Sequence, residues 1–203
     1  MKMDIRQKLD DLAPVLSEIG NDAHVLHASV NHAYDRIRPY GFHLDMVVNW
    51  VSKYVEEVCQ QEDDLLPIFF AAYYHDSIED ARLTYNDVLK TAGKLMSEEQ
   101  AFLATEIVYA LTNEKGRNRA ERANEKYYAG IRAVPYAPFV KLADRLANTS
   151  YAFSKGTADS LRMAKVYRAE LPHFLESLKV VGEDIRFKLP EEMVQALWNV
   201  LPE

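Results

Sequence analysis

Side chains that can bind a cation or move a proton are concentrated between residues 71 and 80. His75, Asp76, Glu79 and Asp80 follow a run of apolar residues there, and a helix built from that run would be buried over most of its circumference. In helical geometry His75 and Glu79 are four residues apart, as are Asp76 and Asp80, so the pairs point toward a common cavity. An adjacent histidine and aspartate can hold one metal, and Glu79 and Asp80 remain for proton transfer. A helix end followed by a solvated turn is the alternative, and this stretch alone leaves both open.

A second group of polar side chains shares one face of a helix predicted over residues 139–148. Lys141, Asp144, Arg145 and Asn148 are spaced by three and four, so they lie together while the apolar residues pack elsewhere. One acidic, two basic and one amide group therefore converge. The alternative is an ordinary amphipathic helix whose lysine and arginine stems lie along the edge of the core.

The segment from Lys115 to Arg145 is locally basic, although the formal net charge of the chain is −7. A local excess of cations can focus a small polyanion into a cleft, and a solvated helix face is the other explanation. The negative total charge argues against the broad basic surface of a non-specific nucleic-acid-binding protein. The cations of the segment are Lys115, Arg117, Arg119, Arg122, Lys126, Arg132, Lys141 and Arg145.

The histidines near the N-terminus divide into one candidate ligand and three other side chains. His43 follows a turn that contains proline and glycine and precedes an apolar helical face, so it can point inward. A helix cap or a satisfied core histidine is the alternative for His43. His24, His27 and His32 have spacings of three and five that do not suit a single metal, and we interpret them as surface or core-filling side chains.

The whole chain has the composition of one globular domain. Its 203 residues allow a sizeable core, and 48% hydrophobic with 27% charged residues is ordinary for such proteins. No run of about 18 apolar residues offers a membrane span, and the charged N-terminal segment lacks an apolar signal core, so we expect a cytoplasmic protein. The single cysteine, Cys59, excludes an internal disulfide and a multi-cysteine zinc site, and it is predicted to be a small core residue.

The periodicity of apolar residues predicts an all-α, single-domain helical bundle. Apolar residues repeat at three and four, and only 7 glycines occur. The first helix is expected over residues 5–19, ending at Gly20, and the second over residues 23–37. Capping signals at Thr84 and Ser97 begin two later helices, and residues 112–122 form a polar loop. The last helices are expected over residues 139–148, 158–178 and 190–201.

Read in chain order, these elements resemble the HD-domain phosphohydrolases, whose signature is a histidine, a His-Asp pair and a distant aspartate. The match extends to the hydrolase domain of the RelA/SpoT family, which removes the 3′-pyrophosphate of the alarmone (p)ppGpp. The resemblance covers about residues 24–175, so residues 1–203 are expected to form one HD-type hydrolase domain, similar to a stand-alone small alarmone hydrolase. The matching strings are Tyr40-Gly-Phe-His43, His75-Asp-Ser-Ile-Glu-Asp80, Leu111-Thr-Asn-Glu-Lys115 and Val140-Lys-Leu-Ala-Asp-Arg-Leu146.

The resemblance also implies a set of site residues. It implies one divalent metal, most commonly Mn²⁺, and this metal is held by His43, His75, Asp76 and Asp144. Glu79 and Asp80 match the catalytic pair that orients and deprotonates the attacking water. The family carries an adjacent basic pair ahead of the first metal histidine, where this chain has Arg36 and Arg38 separated by one residue. The expected substrate-binding residues are Arg36, Arg38, Lys115, Arg117, Lys141, Arg145, Asn148, Arg162 and Tyr167.

The activity that the resemblance implies is hydrolysis of (p)ppGpp to GDP or GTP and pyrophosphate. The expected partner is a small nucleotide rather than a nucleic acid or a membrane, and the oligomeric state is left open. One alternative is an HD-type phosphatase that acts on the 2′-phosphate of NADPH or on a nucleoside monophosphate. A non-catalytic nucleotide-binding module is the other.

Overall fold

A computed structural model describes residues 5–200, and the regular structure of these residues is almost entirely α-helical. The predicted all-α, single-domain bundle is confirmed. A two-stranded hairpin joins β1 (Ala33–Tyr34) to β2 (Arg38–Pro39), and short 3₁₀ turns occupy Val55–Glu57 and Ile185–Phe187. The helices are α1 (Ile5–Ser29), α2 (Gly41–Tyr54), α3 (Glu62–Tyr74), α4 (Ser77–Asp80), α5 (Tyr85–Ala92), α6 (Glu98–Leu111), α7 (Arg119–Arg122), α8 (Glu125–Arg132), α9 (Ala137–Lys155), α10 (Ala158–Leu178) and α11 (Glu191–Val200).

Helix α1 is continuous where the sequence predicts two helices, so the expected break at Gly20 and the helix over residues 23–37 are wrong. Gly20 is buried where α1 meets α3, and a Cβ at this position would lie 3.0 Å from the ring of Tyr73. The glycine therefore serves close packing rather than termination. Ile19 and Ala23 are fully buried on either side of it, and this burial outweighs the low helix propensity of glycine.

The end of α1 is a left-handed turn that leads into the hairpin. Asn31 has a φ of 57°, and the amide of His32 donates to the carbonyl of His27 at 3.1 Å. This is the hydrogen-bond pattern of a Schellman motif, in which the residue after the left-handed position folds back over the last helical turn. The hairpin that follows pairs Tyr34 with Arg38, and it returns the chain to the start of α2.

The core is built around α3 and α9. α3 is apolar on almost every side, and residues 65–72 are all buried against α1, α2 and α6. α9 begins after Tyr136, whose φ is 65° and whose buried hydroxyl donates to Asp64, and it ends at Gly156 with a φ of 66°. It packs against α2, α10 and α11. Helices α2, α3 and α9 therefore meet in the interior.

Several local predictions are confirmed by the helix boundaries. Capping boxes at Thr84 and Ser97 begin α5 and α6, as expected. The helix predicted over residues 158–178 is α10, and Cys59 is buried. Within residues 5–200, no helix has the length and apolar character that crossing a bilayer requires.

Candidate metal centre

Three buried side chains from separate parts of the chain converge at the centre of the bundle. His43 comes from the first turn of α2, His75 follows α3, and Asp144 lies in the middle of α9. One ligand atom from each lies within 4.8 Å of the others. His43 Nε2 is 3.3 Å from His75 Nε2 and 3.3 Å from Asp144 Oδ1. These side chains could hold a single metal ion between them.

Asp76 adds a second carboxylate to this cluster. Its Oδ2 atom lies 2.9 Å from His75 Nε2 and 3.7 Å from His43 Nε2. The hydroxyl of Tyr40 donates a hydrogen bond to the same oxygen. The structure therefore brings together all four residues that were predicted as metal ligands, and the ligand role of Asp76 stays a prediction.

The donor chemistry of the cluster fits a divalent cation. His75 Nδ1 donates to the carbonyl of Ala72 at 2.8 Å, and this leaves the Nε2 lone pair of the neutral ring pointing toward His43 and the carboxylates. A backbone partner of this kind fixes the tautomer of metal-binding histidines. Two imidazole nitrogens with two carboxylates form a mixed N and O donor set that suits manganese, iron or zinc.

The electrostatics of the cluster also favour a positive charge. Burial opposes protonation of His75, but the carboxylates of Asp76 and Asp144 outweigh it and raise the pKa of His75 to about 9. Burial likewise disfavours an ionised Asp76, yet the neighbouring imidazoles, His75 foremost, hold its pKa well below the usual range. The ammonium of Lys141 has the same effect on the pKa of Asp144. The carboxylates thus stay ionised and attract a positive charge.

Two predicted substrate-binding residues contact Asp144 directly. Lys141 Nζ donates to Asp144 Oδ2 at 2.8 Å, and Asn148 Nδ2 donates to Asp144 Oδ1 at 2.6 Å. The hydroxyl of Tyr34 in turn donates to Asn148 Oδ1 at 3.0 Å. These contacts orient the Asp144 carboxylate, and the substrate-binding role of Lys141 and Asn148 stays a prediction.

A small cavity of about 160 Å³, here called the metal cleft, opens beside the cluster. Its volume is large enough for a phosphate group and smaller than the 300–1,000 Å³ of typical ligand pockets. The acidic residues in its wall are Asp76, Glu79, Asp80 and Asp144. The basic residues in its wall are Arg119, Arg122, Lys141 and Arg145.

The two carboxylates predicted to be catalytic both line the metal cleft, but their surroundings differ. Glu79 accepts hydrogen bonds from the Asn113 side chain at 2.7 and 3.0 Å, which ties it to the loop after α6. Asp80 keeps 36% of its side chain exposed. Burial, followed by the negative charges of Asp76 and Glu79, raises the pKa of Asp80 to about 7. Both residues are exposed, and the raised pKa gives Asp80 the basicity of a proton acceptor near neutral pH.

A second cavity of about 360 Å³ adjoins the metal cleft and shares Asn148 and Tyr167 with it. We call it the tyrosine cavity, because Tyr34, Tyr151 and Tyr167 line it. Two of the predicted substrate-binding arginines, Arg36 and Arg162, also lie in its wall. The third, Arg38, stacks on the ring of Phe42 with 4.4 Å between the guanidinium carbon and the ring centre.

The remaining predicted substrate-binding residues lie at different distances from the cluster. Lys115 lines a third cavity of about 530 Å³ between α6 and α8, which shares Asn113 and Tyr127 with the metal cleft. The side chain of Arg117 is 94% exposed beside Glu121, whereas Arg119 and Arg122 of α7 line the cleft.

Arg145 is a buried member of the cleft wall, with only 9% of its side chain exposed. Its guanidinium donates to Glu170 at 2.9 Å and stacks on the rings of Tyr167 and Phe174. The charge of Arg145 is thus balanced within the fold.

Some residues at the site carried no clear signal in the sequence. Tyr40, just before α2, hydrogen-bonds to Asp76, and His32, just after α1, lies 3.8 Å from Asp80. Residue spacing does not predict either approach. Arg119 and Arg122 were visible only as members of a basic segment. The position of Tyr40 inside the string that ends at His43 was the one available indication.

No protein-family model, curated protein or solved structure matches this chain.

Proposed function

We propose that the protein is an HD-type, metal-dependent phosphohydrolase that removes the 3′-pyrophosphate of (p)ppGpp. The observation that carries the proposal is a cluster of two imidazoles and two carboxylates beside a cleft whose wall holds two further carboxylates. A metal cluster next to an accessible proton acceptor is the arrangement that phosphoester hydrolysis requires. The choice of nucleotide is supported by the resemblance of the strings around His43, His75 and Asp144 to the RelA/SpoT hydrolase domain.

The proposed cofactor is one divalent cation, Mn²⁺ in the first instance, with His43, His75, Asp76 and Asp144 as its ligands. When bound, such a cation supplies a Lewis acid for a phosphoryl oxygen and lowers the pKa of water. The chain itself holds the ligands in place. Tyr40 fixes Asp76, and the contacts of Lys141 and Asn148 fix Asp144.

In the proposed reaction Asp80 accepts a proton from the attacking water. The bond between phosphorus and the ribose 3′ oxygen breaks, and the water oxygen enters the released pyrophosphate. The proton that Asp80 accepted is returned through solvent to the 3′ oxygen. Glu79, held by Asn113, orients the water beside Asp80. Arg119 and Arg122 stabilise the negative charge that develops on the phosphate oxygens.

The sizes of the cavities suggest how a nucleotide would be placed. The metal cleft has room for the reacting phosphate, and the larger tyrosine cavity beside it would take the nucleoside. Aromatic rings such as Tyr34 and Tyr151 offer faces on which a base can stack. Arg36 and Arg162 would contact the 5′ phosphates from the same cavity.

Product analysis of ppGpp incubated with the purified protein and Mn²⁺ tests this proposal. We expect GDP and pyrophosphate in equal amounts, and we expect both to be lost with a chelator or in an Asp76→Ala variant. An Asp10→Ala variant, which removes an exposed carboxylate on α1, is the matched control and should retain activity. Intact ppGpp beside folded, metal-loaded protein would contradict the proposal.

A substrate panel separates the alternative activities. Release of phosphate, rather than pyrophosphate, from NADPH or from nucleoside monophosphates would identify a phosphatase. Tight nucleotide binding in Mn²⁺ without any product would identify a binding module.

A further inference from the structure

Two histidines that the proposed chemistry leaves unused lie between α1 and the metal cleft. His27 is fully buried in the last turns of α1, and His32 follows the left-handed turn at Asn31. Their Nδ1 atoms are 3.1 Å apart, which is a hydrogen-bond distance. On its other edge, His32 Nε2 lies 3.8 Å from Asp80 Oδ2. A line of polar groups therefore runs from the core toward the proposed proton acceptor, and its last step is 3.8 Å long.

The imidazole rings of His27 and His32 both stack on the ring of Tyr40. The His32 ring stacks on it with 3.8 Å between ring centres, and the His27 ring stacks with 4.5 Å between centres. The hydroxyl of Tyr40 donates to Asp76. Tyr40 therefore packs against His32, which lies beside Asp80, and also hydrogen-bonds to the proposed metal ligand Asp76. The position of His32 is in this way coupled to that of the metal cluster.

The burial of His27 decides which nitrogen of each ring carries a proton. One proton lies between the two Nδ1 atoms, and it belongs either to His27 or to His32. If it belonged to His32, His27 Nε2 would carry an N–H that has no acceptor among residues 5–200, and the Nε2 lone pair of His32 would face the Asp80 carboxylate. Buried N–H groups without acceptors are rarer and costlier than unfilled acceptors.

The favoured arrangement therefore has His27 Nδ1 donating to His32 Nδ1. His32 then carries its own proton on Nε2, directed toward Asp80. The 3.8 Å separation is longer than a direct hydrogen bond, and the partly exposed Asp80 side chain can turn to close it. Catalytic hydrogen bonds are commonly long before substrate binds.

We propose that His32 is a positioning residue for Asp80, presenting an Nε2–H whose tautomer is set by His27 and whose ring is held by Tyr40. This N–H would keep the Asp80 carboxylate turned toward the attacking water. The expected effect of His32 on turnover rests on the proposed hydrolysis. The assignment of the His32 tautomer is independent of it. Simple core filling by aromatic rings would need neither the hydrogen bond to His27 nor a defined tautomer.

Nitrogen-15 NMR of the imidazoles tests the tautomers directly, with Zn²⁺ in place of paramagnetic Mn²⁺. We expect the Nδ1–H form for His27 and the Nε2–H form for His32. In a His27→Phe variant, which keeps a stacking ring but removes the donor, His32 should lose this preference and populate both tautomers. A predominant Nδ1–H form of His32 in the unmodified protein would overturn the proposal.

Kinetics with ppGpp and Mn²⁺ test the positioning role through two substitutions. His32→Phe keeps the stacking and removes both nitrogens, and we expect kcat to fall by about 10- to 100-fold with KM changed less than about twofold. His32→Gln returns an N–H donor near the Nε2 position and should restore most of the loss. In an Asp80→Asn background, His32→Phe should cause no further loss, because the residue that it positions is already altered.

The outcomes distinguish this inference from the proposed function. Unchanged kcat in a folded His32→Phe variant would overturn the positioning role, as would a His32→Gln variant no better than His32→Phe. Equal losses from His32→Phe in the unmodified protein and in the Asp80→Asn background would also overturn it. Absence of turnover in the unmodified protein would count against the proposed function, and the NMR result would then decide the inference by itself.

Discussion

At the scale of single residues, Lys141 places a buried ammonium against the carboxylate that would bind the cation. Its side chain is only 15% exposed and its pKa is raised, because the charge of Asp144 outweighs the effect of burial. Lys141 therefore compensates Asp144 within the metal-free fold. A metal ion bound by the cluster would interact with the same Asp144 carboxylate. The stability of the protein and its affinity for metal are therefore linked through the contact between Lys141 and Asp144.

Replacing Lys141 by methionine tests this link. We expect Lys141→Met to lower the free energy of unfolding of the metal-free protein by about 3 kcal/mol, because a buried carboxylate loses its main cationic partner. Saturating Mn²⁺ should recover more stability in the variant than in the unmodified protein. Urea unfolding with and without Mn²⁺ measures both effects.

The matched control is Lys179→Met, which breaks an exposed pair with Glu176 and should change stability by less than about 1 kcal/mol. If Mn²⁺ raised the free energy of unfolding equally in the Lys141→Met variant and in the unmodified protein, Lys141 and the metal would not share Asp144.

Cys59 offers a residue-scale prediction outside the site. Burial raises the pKa of its thiol to about 11, so the thiol is protonated and unreactive at pH 8. We expect labelling by a thiol reagent at pH 8 to be much slower in native protein than in urea, where the thiol has an ordinary pKa. The native rate should keep rising with pH between about 10 and 11, where an exposed thiol is already almost fully ionised. Rapid labelling of folded protein at pH 8 would contradict the buried position.

Residue type and order along the chain were enough to predict which side chains would form the cluster. His43, His75, Asp76 and Asp144 are chemically distinctive, and the structure brings them together as expected. Tyr40 was not predicted as a contact, because its role depends on how the start of α2 packs against the turn between α3 and α4. Such contacts depend on tertiary geometry, and the spacing within a helix does not reveal them.

At the scale of elements, α7 is joined to α10 by a network of charges beside the cleft. Arg119 donates to Glu170 at 2.6 and 2.9 Å, and the buried Arg145 donates to the same carboxylate. Burial opposes ionisation of Glu170, but the hydrogen bonds and charges of the two arginines outweigh it and lower its pKa. Because α7 carries Arg122 as well, this network also positions a second cation at the cleft.

Substitution of Glu170 tests the network. Glu170→Gln should lower the free energy of unfolding at pH 7 by about 2 kcal/mol, because it leaves Arg145 buried without its counterion. Arg119→Gln leaves the pair between Arg145 and Glu170 intact and should cost less than about 1 kcal/mol. Urea unfolding of both variants measures the difference, and a larger loss for Arg119→Gln would contradict this account.

The ion pairs of Glu170 also predict that the stability of the protein depends on pH. Since the pKa of Glu170 is lowered in the folded state, its stabilisation is complete above the ordinary value of 4.5 and is lost as the pH falls below it. We expect the stability difference between the unmodified protein and Glu170→Gln to shrink as the pH falls below 4.5. A difference that stays constant down to pH 3 would show that the Glu170 charge does not contribute.

Helix boundaries were predicted correctly where local chemistry sets them, and wrongly where tertiary packing sets them. The capping boxes at Thr84 and Ser97 act within one turn, so the sequence reveals them. Gly20 looked like a helix end, and the structure uses it for contact with Tyr73 on α3. The two-residue strands of the hairpin have no periodicity to detect, and they were not predicted.

At the scale of the whole molecule, the proposed ligands come from helices that are already fixed by the core. α2, α3 and α9 pack against one another through fully buried apolar residues such as Leu44, Phe70 and Leu142. We therefore expect these helices to come together without a cation. A cation would add stability to a bundle that is formed without it.

Thermal unfolding tests this independence. Removal of metal with a chelator should leave the far-UV circular dichroism of the helices unchanged at 25 °C. Addition of Mn²⁺ at about 100 times its dissociation constant should stabilise the protein by about 2.7 kcal/mol and raise Tm by about 5–10 °C. Loss of helical signal on chelation would mean that the metal is required for folding.

The most direct test of the central claim is a titration of metal-free protein with Mn²⁺ in the presence of ppGpp, with pyrophosphate release measured at each addition. The protein concentration is kept far above the dissociation constant for Mn²⁺, so that added metal is bound. We expect activity to rise linearly and to reach a plateau at one Mn²⁺ per chain, and we expect no rise in a His75→Ala variant. Full activity without metal, or one bound Mn²⁺ per chain with no pyrophosphate released, would contradict it.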